Sequence, residues 1–315
     1  MKDRARERYP VYLSAASRLR LLARKVYRQT MTRLQERQAK RRPLDPLLAD
    51  GNVTVPWVDG QPIPNPIGAI NKCARWMEED FQRTDIKAIV DELQALKGEL
   101  TRRGLRFTNT AGNFLARQYH PESEHGKLWE DAWVLRHAGI TAGQTALDVG
   151  GASTIFSFYV ASRGCKVVVV DNDWANCGTL LNASHVARSM GWSLEALDRD
   201  ASRPIPFADG YFDRVFSICV LEHLPSWLRQ SLMREIGRVL KPGGIAGFTT
   251  DYDETRPVLV TDKGLRFAYK AKLERDVIHP SGLTVYGPAS WVDAFPKDTF
   301  LGAFFLQKPS IVSHE

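Results

Sequence analysis

Short apolar runs alternate with longer amphipathic stretches through the second half of the chain. Six of these runs have the length and composition of strands: residues 145–149, 166–170, 193–197, 214–219, 245–250 and 301–307. Helices are predicted between these runs, over about 154–163, 175–190 and 226–240. Strands that alternate with helices are typical of a parallel sheet covered on both faces. The pattern therefore predicts a doubly wound α/β fold.

The first half of the chain is predicted to be largely helical. Apolar residues three and four positions apart predict helices over residues 11–40, 71–103 and 128–140. Six prolines between residues 43 and 66 predict an extended stretch without regular ladders. The chain thus divides into four predicted parts: an N-terminal helical extension that forms a basic amphipathic arm (1–43), a proline-rich linker (44–70), a helical cap or substrate region (71–127) and the α/β domain (128–315).

The formal net charge of +7 is unevenly distributed. Residues 1–43 contain 14 Lys and Arg and 3 Asp and Glu, which gives this arm a charge of +11 and leaves −4 for the rest. The simplest interpretation of this basic amphipathic arm is a solvated helix that docks by its apolar side on the acidic body. A membrane-surface or protein contact through residues 1–43 is the alternative, and nucleic acid is disfavoured. Because no apolar run suits a transmembrane helix or a secretory signal, we expect a cytoplasmic protein that the arm can place at the inner face of the membrane.

A glycine turn follows the first predicted strand of the α/β domain. Asp148 ends that strand, and Gly150 and Gly151 let a ligand approach the backbone closely. Asp171 ends the second strand and Asp200 follows the third, so these side chains are expected at the carboxyl edge of the sheet, where ligands of such folds bind. Asp171 is suited to accept hydrogen bonds from two ribose hydroxyls, and Asp200 from an adenine amine.

The same layout suits a nicotinamide cofactor, whose pyrophosphate would lie on the turn. That motif has three glycines and no acid at its start, and a carboxylate at position 148 would repel a pyrophosphate. S-adenosylmethionine instead carries adenosine without phosphate, together with a cationic ammonium and a cationic sulfonium. The turn therefore favours S-adenosylmethionine as the cofactor.

Four motifs between residues 144 and 250 resemble, in order, those of the class I S-adenosylmethionine-dependent methyltransferase family. LDVGGAS (147–153) resembles the family's first motif, D/E-x-G-x-G-x-G, with Ala152 and Thr154 where glycines are usual. The other three are VVVVDND (167–173), residues 198–225 and residues 234–250. The resemblance implies a Rossmann-like, seven-stranded, mostly parallel sheet. It also implies a cofactor site formed by Asp148, Gly150, Gly151, Asp171, Asn172, Asp200, Ala201, Cys219 and Glu222.

His223 is the catalytic candidate, because it follows the fourth strand at the edge where a transferred methyl group would point. A histidine is suited to remove the proton of an attacking hydroxyl, although a pocket-lining role is the alternative for this residue. The substrate candidates follow the fifth strand and occupy the segment 277–288; they are Asp251, Tyr252, His279 and Tyr286. No metal site is expected, since a solvated acidic loop accounts for the carboxylates after the fifth strand.

Two motifs that the chain lacks reduce the number of possible methyl-acceptor classes. The chain lacks the N/D-P-P-Y type motif of amine methylation in nucleic acids, and Cys219 lies within a strand rather than in a Pro-Cys context. The resemblance is greatest to the subgroup that acts on small molecules, which favours O-methylation of a small molecule, a sugar or glycan, or a lipid-linked acceptor. The alternatives are a non-catalytic binding module tethered by the basic arm, or an RNA methyltransferase.

Overall fold

Strands β3 to β11 form one sheet, and β1 and β2 form a separate ladder. The computed structural model describes residues 57–58, 61–62, 70–72, 78–108, 121–172, 178–252, 273–290 and 300–310, all within one compact unit of residues 44–315. The predicted arm, residues 1–43, lies outside the described residues. The strands are β1 Trp57–Val58, β2 Gln61–Pro62, β3 Asn71–Lys72, β4 Thr145–Val149, β5 Lys166–Asp171, β6 Leu194–Asp198, β7 Phe212–Ile218, β8 Leu240–Tyr252, β9 Thr284–Val285, β10 Ala289–Ser290 and β11 Phe300–Gln307.

The helices of the described ranges connect the strands in the alternating order that the sequence predicts. They are α1 Glu78–Gln82, α2 Thr84–Arg102, α3 Pro121–Ala138, α4 Ile155–Ser162, α5 Thr179–Met190, α6 Ser226–Val239 and α7 His279–Ser281, with a 3-10 turn at Leu221–His223 and a π-helical turn at Glu274–Ile278. Thr154 caps α4 by accepting from the Ser157 N–H, and α6 ends just before the sequence Lys-Pro-Gly-Gly. No helix in these ranges is both long and apolar enough to cross a membrane.

The two faces of the sheet are covered by different helices. In β5, Val167 and Val169 join the buried cluster formed with α3, α4 and α5, whereas Val168 and Val170 join the cluster formed with α6. Side chains on a strand alternate between faces, so four consecutive buried valines require cover on both sides. Each buried valine contributes about 1.5–3 kcal/mol relative to an exposed one. The predicted doubly wound, mostly parallel α/β sheet is confirmed.

Strand order places a crevice at the centre of the sheet. The order is β6-β5-β4-β7-β8-β11-β3-β10, with β9 also pairing with β11. From β4 the chain first builds outward through β5 and β6, then crosses back to add β7 and β8 on the other side of β4. Such a reversal leaves an opening beyond the carboxyl ends of β4 and β7, where open α/β sheets bind ligands.

Two predictions for the first half of the chain are wrong in detail. The helix predicted over 71–103 starts later, because Asn71 belongs to β3, where its fully buried amide donates to the carbonyls of residues 286, 287 and 288. That helix is also broken between α1 and α2 by the extended backbone of Arg83. The linker was expected to lack ladders, yet β1 and β2 pair within it, in the register Trp57 with Pro62. A proline at a strand end loses no ladder bond that the chain needs.

Candidate functional site

The turn after β4 requires glycine at two positions for two different reasons. Gly150 has a φ of +84°, and a Cβ on it would lie 2.4 Å from Cγ2 of Val220. A Cβ on Gly151 would lie 1.9 Å from Oδ2 of Asp148 and 2.6 Å from the Ser157 hydroxyl oxygen. The space above Gly151 is therefore bordered by a carboxylate. Beside the turn, Thr108 N–H donates to the Ser153 carbonyl at 2.9 Å, which fixes the loop from the α2 side.

Asp148 is a buried carboxyl with one oxygen left unsatisfied. Its Oδ2 accepts from the Ser157 hydroxyl at 2.5 Å, whereas Oδ1 has no hydrogen-bond partner among the described residues. Burial raises the pKa of Asp148 to about 7; the Ser157 hydrogen bond lowers it, and the negative charge of Asp171 raises it. A buried carboxylate with one unsatisfied oxygen is stabilised by a cation beside it.

The carboxyl ends of β5 and β6 bring the predicted adenosine-binding residues together. The Asn172 N–H donates to Oδ1 of Asp171 at 2.6 Å, and its side-chain amide donates to Oδ2 of Asp200 at 3.3 Å. The Ser202 N–H donates to the other oxygen of Asp200 at 2.8 Å, and Ala201 packs against the cluster beside α6. Asp171 and Asp200 thus lie at the ends of adjacent strands and are bridged by one residue, Asn172, through its backbone N–H and its side-chain amide.

Beyond β7 the chain passes Cys219 and enters the short turn that carries Glu222 and His223. Cys219 has a φ of +54°, an unfavourable backbone conformation for a residue with a side chain. Glu222 is buried, while the His223 side chain is 69% exposed, with Nε2 lying 3.9 Å from Oε1 of Glu222. An exposed imidazole beside a buried carboxylate is open to an incoming acceptor.

Helix α3 supplies charged residues to this site that sequence analysis missed. The Lys127 ammonium lies 2.8 Å from Oε2 of Glu130 and 2.8 Å from Sγ of Cys219, whose thiol lies 2.8 Å from Oε1 of Glu130. Asp131 is also buried, and its Oδ1 has no partner among the described residues. Burial raises the pKa of Asp131 well above its ordinary value, and Glu130 and Asp148 raise it further, whereas Lys127 and Lys97 lower it.

A signal for these residues was present in the sequence. Glu130 and Asp131 stand between Trp129 and Trp133, on the helix predicted over residues 128–140. Buried acids are rare unless they are paired or functional. Two adjacent acids between tryptophans of a predicted helix therefore mark candidate site residues.

The predicted substrate residues separate into two groups. Asp251 and Tyr252 end β8 at the carboxyl edge, as expected, where they pair with Leu301 and Phe300. His279 and Tyr286 lie away from that edge, and their assignment to substrate binding stays a prediction. Among the described residues, no group of three or more His, Cys, Asp or Glu side chains is arranged to hold a metal ion.

The path of the chain takes His279 and Tyr286 away from the carboxyl edge of the sheet. His279 begins α7, which packs along the outer face of α6, and its side chain is exposed. Tyr286 N–H donates to the carbonyl of Phe305 in the second half of β11. Burial lowers the pKa of Arg214, at the amino end of β7, and the charges of Asp213 and Tyr286 oppose that shift, so Tyr286 lies near this end of the strand. Residues 273–286 therefore run from the carboxyl edge of the sheet toward its amino edge, and the chain then returns toward the carboxyl edge.

Comparison with known proteins places the glycine turn in a recognised domain. Residues 147–248 match the family model described as a methyltransferase domain. An uncharacterized methyltransferase of Mycobacterium sp. (strain JLS) is 31% identical over 148 residues, covering 45% of this chain and 55% of that protein. A sterol 24-C-methyltransferase of Pneumocystis carinii (strain B80) is 32% identical over 136 residues, covering 40% of this chain and 34% of that protein. The chain thus spans about half the length, or less, of these relatives.

A solved structure with the same overall fold is that of the (4+2)-cyclase SpnF, which is 18% identical. It aligns with 71% of this chain and 95% of its own length at a TM-score of 0.50. At this identity the likeness concerns the fold alone, and a fold does not fix the reaction. The matched residues include most of β4 and all of β5, β6 and β7. Asp148, Asp171, Asp200 and Glu222 lie at or just after the carboxyl ends of these strands. Through residues 147–248 the chain thus contains a methyltransferase domain of the class I S-adenosylmethionine-dependent kind.

Proposed function

We propose that this chain transfers a methyl group from S-adenosylmethionine, the cofactor of its family, to a hydroxyl of a small molecule, a sugar or glycan, or a lipid-linked acceptor. The observation that carries the proposal is the unsatisfied, buried Asp148 oxygen beside the Gly151 turn. A cationic ligand without phosphate suits this turn, because it stabilises the carboxylate and needs the space that the glycines leave. When bound, S-adenosylmethionine supplies an electrophilic methyl group on a sulfonium.

Each end of the cofactor has residues suited to hold it. Asp171 would accept hydrogen bonds from the ribose hydroxyls, and Asn172 and Asp200 would hold the adenine. Asp148 attracts the cationic centres, and Lys127, on the opposite wall beside Cys219, is suited to a carboxylate. Because charge-assisted hydrogen bonds contribute roughly 1.5–3 kcal/mol each, loss of one residue should weaken binding at least tenfold.

His223 is proposed as the base that takes the proton of the acceptor hydroxyl. Its exposed imidazole lies beside the buried Glu222, whose negative charge favours the imidazolium formed after proton transfer. The remaining work is placement of the hydroxyl in line with the methyl group, which the residues at the ends of β7 and β8 are positioned to do. The sterol relative's name specifies methylation at carbon, so the acceptor atom is the part of the proposal that an acceptor screen decides.

Calorimetric titration tests the cofactor first. We expect micromolar binding of S-adenosylmethionine and none of NAD, with at least a tenfold loss of affinity in Asp171→Ala. Asp91→Ala is the matched control, because Asp91 is an exposed carboxylate that pairs with Lys87 on α2, away from the turn. If folded protein binds no S-adenosylmethionine, the enzyme proposal fails and the non-catalytic binding module replaces it. Transfer of labelled methyl to RNA would favour the RNA methyltransferase alternative.

The basic arm is proposed to hold the enzyme at an anionic membrane surface or on a protein partner. Residues 1–43 carry +11, and each Lys or Arg near an anionic leaflet contributes about 1 kcal/mol. Cosedimentation with vesicles tests the membrane contact. We expect the protein to bind vesicles that contain phosphatidylserine and not vesicles of phosphatidylcholine alone. Changing Arg18, Arg20 and Arg24 to Glu should abolish this binding. Equal binding by the triple variant would count against a membrane role.

A further inference from the structure

Two opposite charges are completely buried beneath the turn that carries Glu222 and His223. Arg229 of α6 and Asp276 of the π-helical turn are both 0% exposed, and Nη2 of the arginine lies 3.5 Å from Oδ2 of the aspartate. Burying such a pair costs several kcal/mol per ion before the attraction is counted, and an apolar pair of similar volume is often at least as stable. This ion pair is therefore poorly explained by stability alone.

The carboxylate end of the pair joins two segments that are far apart in sequence. Oδ1 of Asp276 accepts from the Ser226 hydroxyl at 2.7 Å, from the Gln230 amide at 3.2 Å and from Nε of Arg275 at 2.8 Å. Burial alone would raise the pKa of Asp276, but the hydrogen bonds from Arg275 and Ser226 lower it, so the group is charged. Its charge lies against the first turn of α6, where the helix dipole favours an anion.

The guanidinium end reaches the candidate catalytic turn. Nη1 of Arg229 donates to the carbonyl of Leu221, 3.3 Å away, at the first residue of the 3-10 turn. The same carbonyl accepts from the Leu224 N–H at 3.3 Å, and the His223 N–H donates to the Val220 carbonyl at 3.0 Å. An apolar side chain at position 229 could fill the space but could not donate to Leu221.

We propose that Arg229 and Asp276 are positioning residues that lock the Leu221–His223 turn, and that the segment after β8 thereby sets the orientation of Glu222 and His223. The significance of that orientation rests on the proposed function, in which this turn faces the methyl acceptor. The lock itself is a property of the fold. It connects residues 273–281, which pack outside the crevice, with the edge where the methyl group is transferred.

Amide hydrogen exchange of the full chain tests the lock without an acceptor. In the double variant Arg229→Met with Asp276→Leu, the His223 and Leu224 amides should exchange roughly tenfold faster or more, because a charge-assisted hydrogen bond that holds the turn is lost. Exchange in β4 and β8 should stay within twofold of the unmodified protein. Arg238→Met with Glu235→Leu is the matched control, since it removes an ion pair of 2.8 Å from the other end of α6.

A milder variant keeps the test decisive if the double variant does not fold. Asp276→Asn retains acceptors for Ser226 and Gln230 but removes the charge that holds Arg229, and the same local acceleration is expected. The imidazole NMR signals of His223 should also shift or broaden, while those of His185 on α5 stay unchanged. Unchanged exchange at the turn in either folded variant, or acceleration spread evenly over all amides, would overturn the proposal.

Failure of the proposed lock and failure of the proposed function give different results. If the exchange result is as expected but S-adenosylmethionine does not bind the unmodified protein, the lock stands and the methyl-transfer role falls. If the unmodified protein transfers methyl groups, Asp276→Asn should lower kcat at least tenfold and leave the cofactor Kd within twofold. A loss confined to cofactor affinity would contradict positioning of the acceptor-side turn.

Discussion

Replacing Asp148 with asparagine should make the protein more stable at alkaline pH and poorer at binding its cofactor. Between pH 3.8 and about 7 the folded state keeps a proton on Asp148 that the unfolded state has released. Stability therefore falls as pH rises through this window, and the whole penalty is present above pH 7. A pKa change from 3.8 to about 7 corresponds to about 4 kcal/mol at most. The Asp148→Asn variant carries no such penalty, and its side-chain amide can still accept from Ser157.

Urea denaturation at several pH values measures this difference. The free energy of unfolding of Asp148→Asn should exceed that of the unmodified protein by about 2–4 kcal/mol at pH 8, and the gap should shrink toward zero near pH 4. Asp213→Asn is a control of opposite sign. Burial opposes ionisation of Asp213, but hydrogen bonds from Lys241 and Thr145 lower its pKa, so this variant should be less stable at pH 8. A gap that does not change with pH would refute the reasoning.

The affinity for the cofactor should depend on the same proton of Asp148. Because a cation favours the ionised form, S-adenosylmethionine should bind more tightly as pH rises from 6 to 7.5, by up to about tenfold per pH unit below the pKa. Calorimetry in buffers of different ionisation enthalpy should detect proton release on binding at pH 6 and little at pH 8.5. Asp171 and Asp131 also interact with this carboxyl, so the Asp148→Asn protein is the reference for both measurements. A flat affinity between pH 6 and 7.5 would exclude Asp148 from the cation site.

Three further changes test other parts of the site. Gly151→Ala should abolish S-adenosylmethionine binding, because the new Cβ would lie 1.9 Å from the Asp148 carboxylate. Gly178→Ala is its control: Gly178 has a positive φ, but no atom lies within 4 Å of an added Cβ, so this variant should have a lower melting temperature and an unchanged affinity for S-adenosylmethionine. Lys127→Met should weaken S-adenosylmethionine at least tenfold but leave methylthioadenosine, which lacks the amino-acid part, within twofold by calorimetry. His223→Gln should lower kcat by about 10²–10⁴-fold with an unchanged cofactor Kd, and retention of full activity would assign this side chain to the pocket wall.

The part of the site that could be predicted from the sequence consists of residues that lie next to each other in the chain. The turn from Asp148 to Gly151 and the acid at the end of β5 are set by local patterns: an apolar strand, a break, and a carboxylate at a fixed point. Their meeting at one edge follows from parallel pairing alone. The same logic gave the alternation of strands and helices, since it depends on periods of two and 3.6 residues.

Residues that meet through packing escaped prediction. Lys127 and Cys219 are 92 positions apart, and their contact depends on how α3 lies across the sheet. The order of elements along the chain does not say where the segment that carries His279 and Tyr286 packs. Asp276, in the same segment, shows the reason: its buried carboxylate binds the first turn of α6 and draws residues 274–281 along that helix. No local pattern encodes that attachment.

The position of β11 has a consequence for how the protein is made. This strand lies between β8 and β3, and Asn71 accepts from the Phe305 N–H at 2.7 Å across 234 positions of sequence. While the ribosome is still synthesising the residues after β8, the β8 edge of a largely apolar sheet therefore has no strand paired with it. Contacts of such long range are slow to form, and exposed strand edges invite aggregation. Synthesis truncated before Phe300 should yield insoluble protein, and the yield of soluble full-length protein should rise at lower growth temperature or with added chaperones.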